Sequence, residues 1–133
     1  MTLGVRAVVF NDRDEVLLVR HTYVEGWHFP GGGVERGETA VQAMIKELHE
    51  EANITLKSVP EIFHIYRNTQ HSRFDHVVLF VCRWGDQTSH KQPDYEIAEA
   101  RFFPISALPA TTTASTAKRL QEVLHDVPRA DIW

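Results

Sequence analysis

The stretch Gly32-Gly33-Val34-Glu35-Arg36-Gly37-Glu38-Thr39-Ala40-Val41-Gln42-Ala43-Met44-Ile45-Lys46-Glu47-Leu48-His49-Glu50-Glu51-Ala52-Asn53-Ile54 joins a glycine-rich run to a segment of helical periodicity. Thr39, followed three residues later by Gln42, makes a capping box. Val41, Met44, Ile45, Leu48 and Ala52 recur at helical spacing, which predicts a helix over 39–52 with those side chains inward. At about 100° per residue, Glu47, Glu50 and Glu51 fall together on another face. Converging carboxylates repel unless a cation neutralises them, and hard oxygen donors suit Mg²⁺, with Mn²⁺ as the alternative. A solvated acidic face would look the same in isolation. The neighbouring glycines tip the reading toward a metal–phosphate site, because Gly32 and Gly33 can bring backbone donors close to phosphate oxygens.

Working outward, Pro30-Gly31-Gly32-Gly33 reads as a loop, since proline lacks a donor and glycines permit unusual backbone angles. Leu3–Phe10 and Val16–Arg20 are apolar, β-branched runs separated by Asn11-Asp12-Arg13-Asp14-Glu15, the pattern of a β-hairpin. Ile54–Val59, Ile62–Arg67, His76–Trp84 and Ala98–Pro104 are strand-like. Thr113–Val127 is amphipathic, with Ala117, Leu120, Val123, Leu124 and Val127 inward and Pro128 as its stop. The elements describe an α/β protein: a mixed sheet with flanking helices.

With 133 residues the chain has the size of one domain, 1–133, with one hydrophobic core. Its 43% hydrophobic and 24% charged content is that of a folded globular protein. A formal charge of −4 gives no electrostatic footprint for a long nucleic acid, but a small anionic substrate can bind through a cation. The single cysteine, Cys82, lies in an apolar run and reads as core. No stretch reaches the roughly 18 apolar residues of a membrane span, and the default expectation is a cytoplasmic protein. A homodimer stays open.

The glycine–glutamate stretch resembles the Nudix box, whose pattern is Gly, five residues, Glu, seven residues, Arg-Glu, an aliphatic residue, any residue, Glu-Glu, any residue, Gly, then an aliphatic residue. Gly32, Glu38, Glu47, Leu48, Glu50, Glu51 and Ile54 fill their positions. Trp27-His28-Phe29-Pro30-Gly31-Gly32, the early hairpin and the downstream Glu-rich strand ending in Phe102-Phe103-Pro104 extend the likeness over nearly the whole chain. Two positions depart from the pattern. Lys46 stands where the family has an arginine that helps orient the catalytic carboxylates, and an ammonium lacks the planar bidentate fork. Asn53 replaces the last glycine, where asparagine tolerates a left-handed helix end.

The resemblance implies a Nudix-type α/β/α sandwich and hydrolysis of the diphosphate bond of a nucleoside diphosphate derivative. It implies Glu47, Glu50 and Glu51 as metal ligands and a small nucleotide-type substrate as partner. Glu38 would support the metal site and face the substrate beside Gly32, Gly33 and Arg36. The proton acceptor in this family lies inside or outside the box. Asp94, Glu96 and Glu99 are the external candidates here, with Glu96 favoured. Trp27 either stacks on a nucleobase or packs in the core. The eight histidines show no zinc-ligand spacing with cysteine partners. A competing reading is a Nudix-fold module that binds a nucleotide without catalysis; Lys46 favours it, and the intact carboxylates oppose it.

Overall fold

The computed structural model describes residues 1–133. Strand β1 (Thr2–Val9) organises the molecule. It pairs in parallel with β7 (Asp75–Cys82) and antiparallel with β4 (Gly31–Gly33), and β7 pairs antiparallel with β6 (Glu61–Arg67), giving the mixed order β4-β1-β7-β6. Strand β2 (Val16–His21) lies between β3 (Trp27–His28) and β9 (Ile97–Phe103) in a second, antiparallel sheet. The short strands β5 (Ile54–Leu56) and β8 (Gly85–Gln87) pair beside them.

Strands β1 and β2 are buried on both faces, which their alternating side chains make visible. Val5, Ala7, Val9, Leu17 and Val19 enter one core with Ala43, Met44 and Leu48 of helix α1 (Ala40–Ala52). Val8, Phe10, Val16 and Leu18 enter a second core with Leu120 of helix α2 (Ala114–His125). A helix therefore covers each side of the strands, and the chain is an α/β/α sandwich, as the sequence implied. Cys82 is buried, and burial pushes its thiol up to about 12, which leaves it inert packing.

Several expectations need correction. The first two strands do not form a hairpin: only Phe10 and Val16 bridge across the Asn11–Glu15 turn, and the strands then part into different sheets. β1 instead finds its ladder with β7, whose apolar run matches it residue for residue. The glycine run is an edge strand rather than a loop. A Cβ on Gly31 would lie 1.9 Å from the Val5 carbonyl oxygen, so glycine is what allows this close pairing with β1. Helix α2 ends at His125 because Asp126 turns left-handed at φ 48°, and Val127 is exposed. Its buried face also carries the polar Arg119 and Glu122 beside Leu120.

Candidate functional site

Helix α1 begins as its sequence dictates. The Thr39 hydroxyl accepts the Gln42 N–H and the Gln42 side chain accepts the Thr39 N–H. It ends at Asn53 in the left-handed region at φ 55°. Between those caps the buried stripe is Ala43, Met44, Leu48, Glu51 and Ala52, while Ile45 is half-exposed. The expected apolar stripe is thus rotated by about one position. Ala43 is buried where Ile45 was expected, and the rotation turns Glu47 and Glu51 toward the glycine strand.

Glu51 is 5% exposed, and its Oε1 accepts the Gly31 N–H at 2.9 Å. His21, at the end of β2, brings Nε2 to 3.7 Å from the other Glu51 oxygen. Glu47 lies over Gly32 so closely that a Cβ there would be 2.7 Å from its Oε1. Burial, followed by the charges of Glu51 and Glu50, pushes the Glu47 carboxyl up to about 7. No lysine or arginine bridges either carboxylate. Glu50 is exposed on the next turn of the helix face. The three side chains therefore do not close around one point, and no group of His, Cys, Asp or Glu is arranged as a finished cage. Glu47 and Glu51 stay within hydrogen-bonding reach of each other, and Glu50 alone stands apart in solvent.

Lys46 points elsewhere. Its Nζ lies 2.8 Å from Glu38 and 3.5 Å from Glu35, and Glu38 accepts the Glu35 N–H at 2.8 Å. The Lys46 hydrogen bond holds the Glu38 carboxyl below the usual carboxylate range. Lys46 and Glu38 thus tie the 35–38 turn to the helix and do not touch Glu47, Glu50 or Glu51.

Glu47, Glu51 and Gly31–Gly33 line a cavity of about 1070 Å³. Glu96 also lines this cavity. The other two external candidates are committed to other partners: Glu99 lies 3.6 Å from both Arg20 and Arg101, and Asp94 caps the Glu96 and Ile97 N–H groups. Those bonds, with Lys91, hold the Asp94 carboxyl down at about 2. Trp27 packs in the core: it is 8% exposed and lies edge-on against Phe103 at 4.9 Å. Arg36 is exposed and does not line the cavity. Sequence reasoning missed His21 and Asn68 as cavity residues and left Trp133 undecided. No local pattern marks them, because each reaches the cavity through pairing distant in sequence.

A carboxylate-bearing helix thus lies against a glycine strand and opens with it into a cavity lined by polar and apolar side chains alike. A family model described as NUDIX domain matches residues 1–124. The chain belongs to that family. It is 34% identical over 136 aligned residues to the human 8-oxo-dGDP phosphatase NUDT18, covering 95% of this chain and 38% of that protein. The chain thus spans well under half of that curated relative. Among solved structures, a MutT NUDIX hydrolase from Burkholderia pseudomallei matches with a TM-score of 0.73 at 21% identity, covering 92% of this chain and 97% of that one. An ADP-ribose pyrophosphatase from Streptococcus suis matches with a TM-score of 0.65 at 25% identity, covering 99% and 95%. No helix is long and apolar enough to cross a membrane.

Proposed function

We propose that the chain is a hydrolase that cleaves the diphosphate linkage of a nucleoside diphosphate derivative with the help of Mg²⁺, or Mn²⁺ in its place. One observation carries the reading: Glu47 and Glu51 are drawn together against Gly31 and Gly32 on the cavity wall with no lysine or arginine to balance them. Such a pair is short of positive charge, and its all-oxygen donors fit a hard divalent cation. Glu47 and Glu51 would hold the ion, and Glu50, exposed and free of ion pairs, would complete the set. When bound, the ion neutralises the diphosphate and acidifies a water molecule.

The chain's own residues do the rest. The Gly31 N–H orients Glu51, and Gly32 leaves room for Glu47. Gly33 is exposed, and alternation along β4 turns its N–H the same way as that of Gly31, toward the cavity and any phosphate oxygen there. Glu96, on the cavity wall and free of ion pairs, accepts the proton of the attacking water. Relatives named for 8-oxo-dGDP and ADP-ribose support a nucleotide-type substrate for this chain.

The test is a Mg²⁺-dependent screen of nucleoside triphosphates, nucleotide sugars, dinucleoside polyphosphates and dinucleotide cofactors, with products identified. Hydrolysis that disappears in Glu51→Gln supports the reading. Binding of a nucleotide with no turnover under any condition would favour a sensing module instead.

A further inference from the structure

The cavity continues beyond the carboxylates. Gly33, Gly4, Val77 and Tyr66 lie in one registered row across the four-stranded sheet, so their side-chain positions share a face. The first two carry no side chain, and Gly33, Gly4 and Val77 all line the cavity. The result is a low floor running from the β4 edge toward β6. Three strand spacings cover about 14 Å, a span that a nucleoside diphosphate can bridge.

Trp133 stands at the far end of that floor, on the cavity wall. It packs edge-to-face with Tyr66 at 5.3 Å and with Phe29 at 6.5 Å. Backbone pairing holds it there: the Arg67 N–H donates to the Asp131 carbonyl at 2.7 Å and the Trp133 N–H donates to the Arg67 carbonyl at 3.0 Å. A buried polar network lies against this segment. Arg119 donates to the Ile132 carbonyl at 3.0 Å, while Glu122 accepts from Ala130 N–H at 3.0 Å and from the Tyr66 hydroxyl at 2.6 Å. An ion pair buried in this way stabilises little by itself, but it fixes the 130–133 segment in one position.

Asn68, the residue after Arg67, lines the same cavity. Its Oδ1 is buried and has no hydrogen-bond partner. A buried amide oxygen without a donor is costly, and a polar ligand edge entering the cavity would supply one. An indole with an unengaged carboxamide beside it is the chemistry that reads a base, through stacking and edge hydrogen bonds.

We propose that Trp133 and Asn68 form the nucleobase subsite of this cavity, the indole stacking on the base and the carboxamide pairing with its edge. The proposal deepens the hydrolase reading above and rests on it. Trp133 is a substrate-binding residue in this scheme, remote from the reacting phosphorus.

The experiment is calorimetric titration of the full chain in Mg²⁺ with GDP, ADP and, as a probe without a base, inorganic pyrophosphate. Trp133→Ala should weaken both nucleotides roughly 5- to 100-fold and leave pyrophosphate unchanged, with Trp133→Phe restoring most of the loss. Asn68→Ala should change the ratio of GDP to ADP affinity and again spare pyrophosphate. Unchanged nucleotide affinity in Trp133→Ala, or an equal loss for pyrophosphate, overturns the platform. If Trp133→Ala does not fold, Trp133→Phe and Asn68→Ala decide: an unaltered GDP-to-ADP ratio in both overturns the subsite. Base-dependent binding by a wild-type chain that hydrolyses nothing upholds the subsite and refutes the hydrolase. Hydrolysis whose KM is untouched in Trp133→Ala refutes the subsite alone.

Discussion

The backbone N–H of Gly31 donates to Oε1 of Glu51 at 2.9 Å, so the glycine strand grips the helix through one of the carboxylates proposed to hold metal. Glu51→Gln keeps an oxygen that can accept this bond and keeps the side chain's size. Folding should therefore survive, while loss of the charge lowers Mg²⁺ affinity and cuts turnover by on the order of 10²-fold or more. Thermal unfolding and kinetics on one sample check this. A well-folded Glu51→Gln protein with wild-type diphosphate hydrolysis at the same Mg²⁺ concentration would falsify the metal assignment.

Adjacent glycines should respond differently to alanine. At Gly31 the new Cβ would meet the Val5 carbonyl oxygen at 1.9 Å, and backbone cannot move aside cheaply. Gly31→Ala should destabilise the fold by about 1–3 kcal/mol or more. At Gly32 the obstacle is the Glu47 carboxylate at 2.7 Å, the mobile end of a side chain. Gly32→Ala should unfold near the wild-type temperature and yet bind Mg²⁺ more weakly. Equal melting temperatures for the two variants would contradict this division.

Glu96→Gln should lower kcat by about 10²–10⁴-fold if Glu96 is the base. Glu99→Gln should do much less, because Glu99 faces Arg20 and Arg101 rather than the cavity. Asp94→Asn should act through structure, loosening the turn that presents Glu96, and its effect should be reduced by lowering the temperature. A wild-type rate in Glu96→Gln would move the base into the Glu47–Glu51 group.

Lys46 is bonded to Glu38 and Glu35, so its influence on the carboxylates runs through the position of the 35–38 turn. Lys46→Arg can keep both ion pairs and should match or exceed the wild-type kcat; Lys46→Ala should lower it by less than Glu51→Gln does, with metal binding retained. Identical rates in all three proteins would remove Lys46 from the mechanism.

The parts of this site that the sequence made legible are those set by neighbours within one helix. Thr39 and Gln42 cap α1 as a local motif, and Asn53 ends it for a local conformational reason. The spacing of Glu47, Glu50 and Glu51 was readable too. Their orientation was not, because it depends on whether Ala43 or Ile45 faces a sheet assembled from β1 and β7, whose paired residues stand some 73 positions apart, as Thr2 and Asp75 do. The same limit hid the parting of β1 from β2, the core position of Trp27 and the delivery of Trp133 through Arg67.

Burial and the facing charges of Glu51 and Glu50 raise the Glu47 carboxyl from 4.5 to about 7, so between those values the folded chain holds a proton that the unfolded chain has released. A raised folded-state pKa gives stability that is fully present below the unfolded value and is lost as pH climbs through the folded one. In a chelator the melting temperature should accordingly decline as pH rises from about 5 through 7 and flatten above it. Glu47→Gln, which cannot ionise there, should lack that part of the slope. Saturating Mg²⁺ should add most stability on the alkaline side, where the carboxylates are charged and their repulsion is greatest, because an ion bound only by the folded state stabilises it by mass action. Melting curves at several pH values, with chelator and with Mg²⁺, measure all three effects. A metal-free stability profile identical in wild type and Glu47→Gln would mean that Glu47 is as solvated as Glu50, and the Glu47–Glu51 pair would no longer support a metal site.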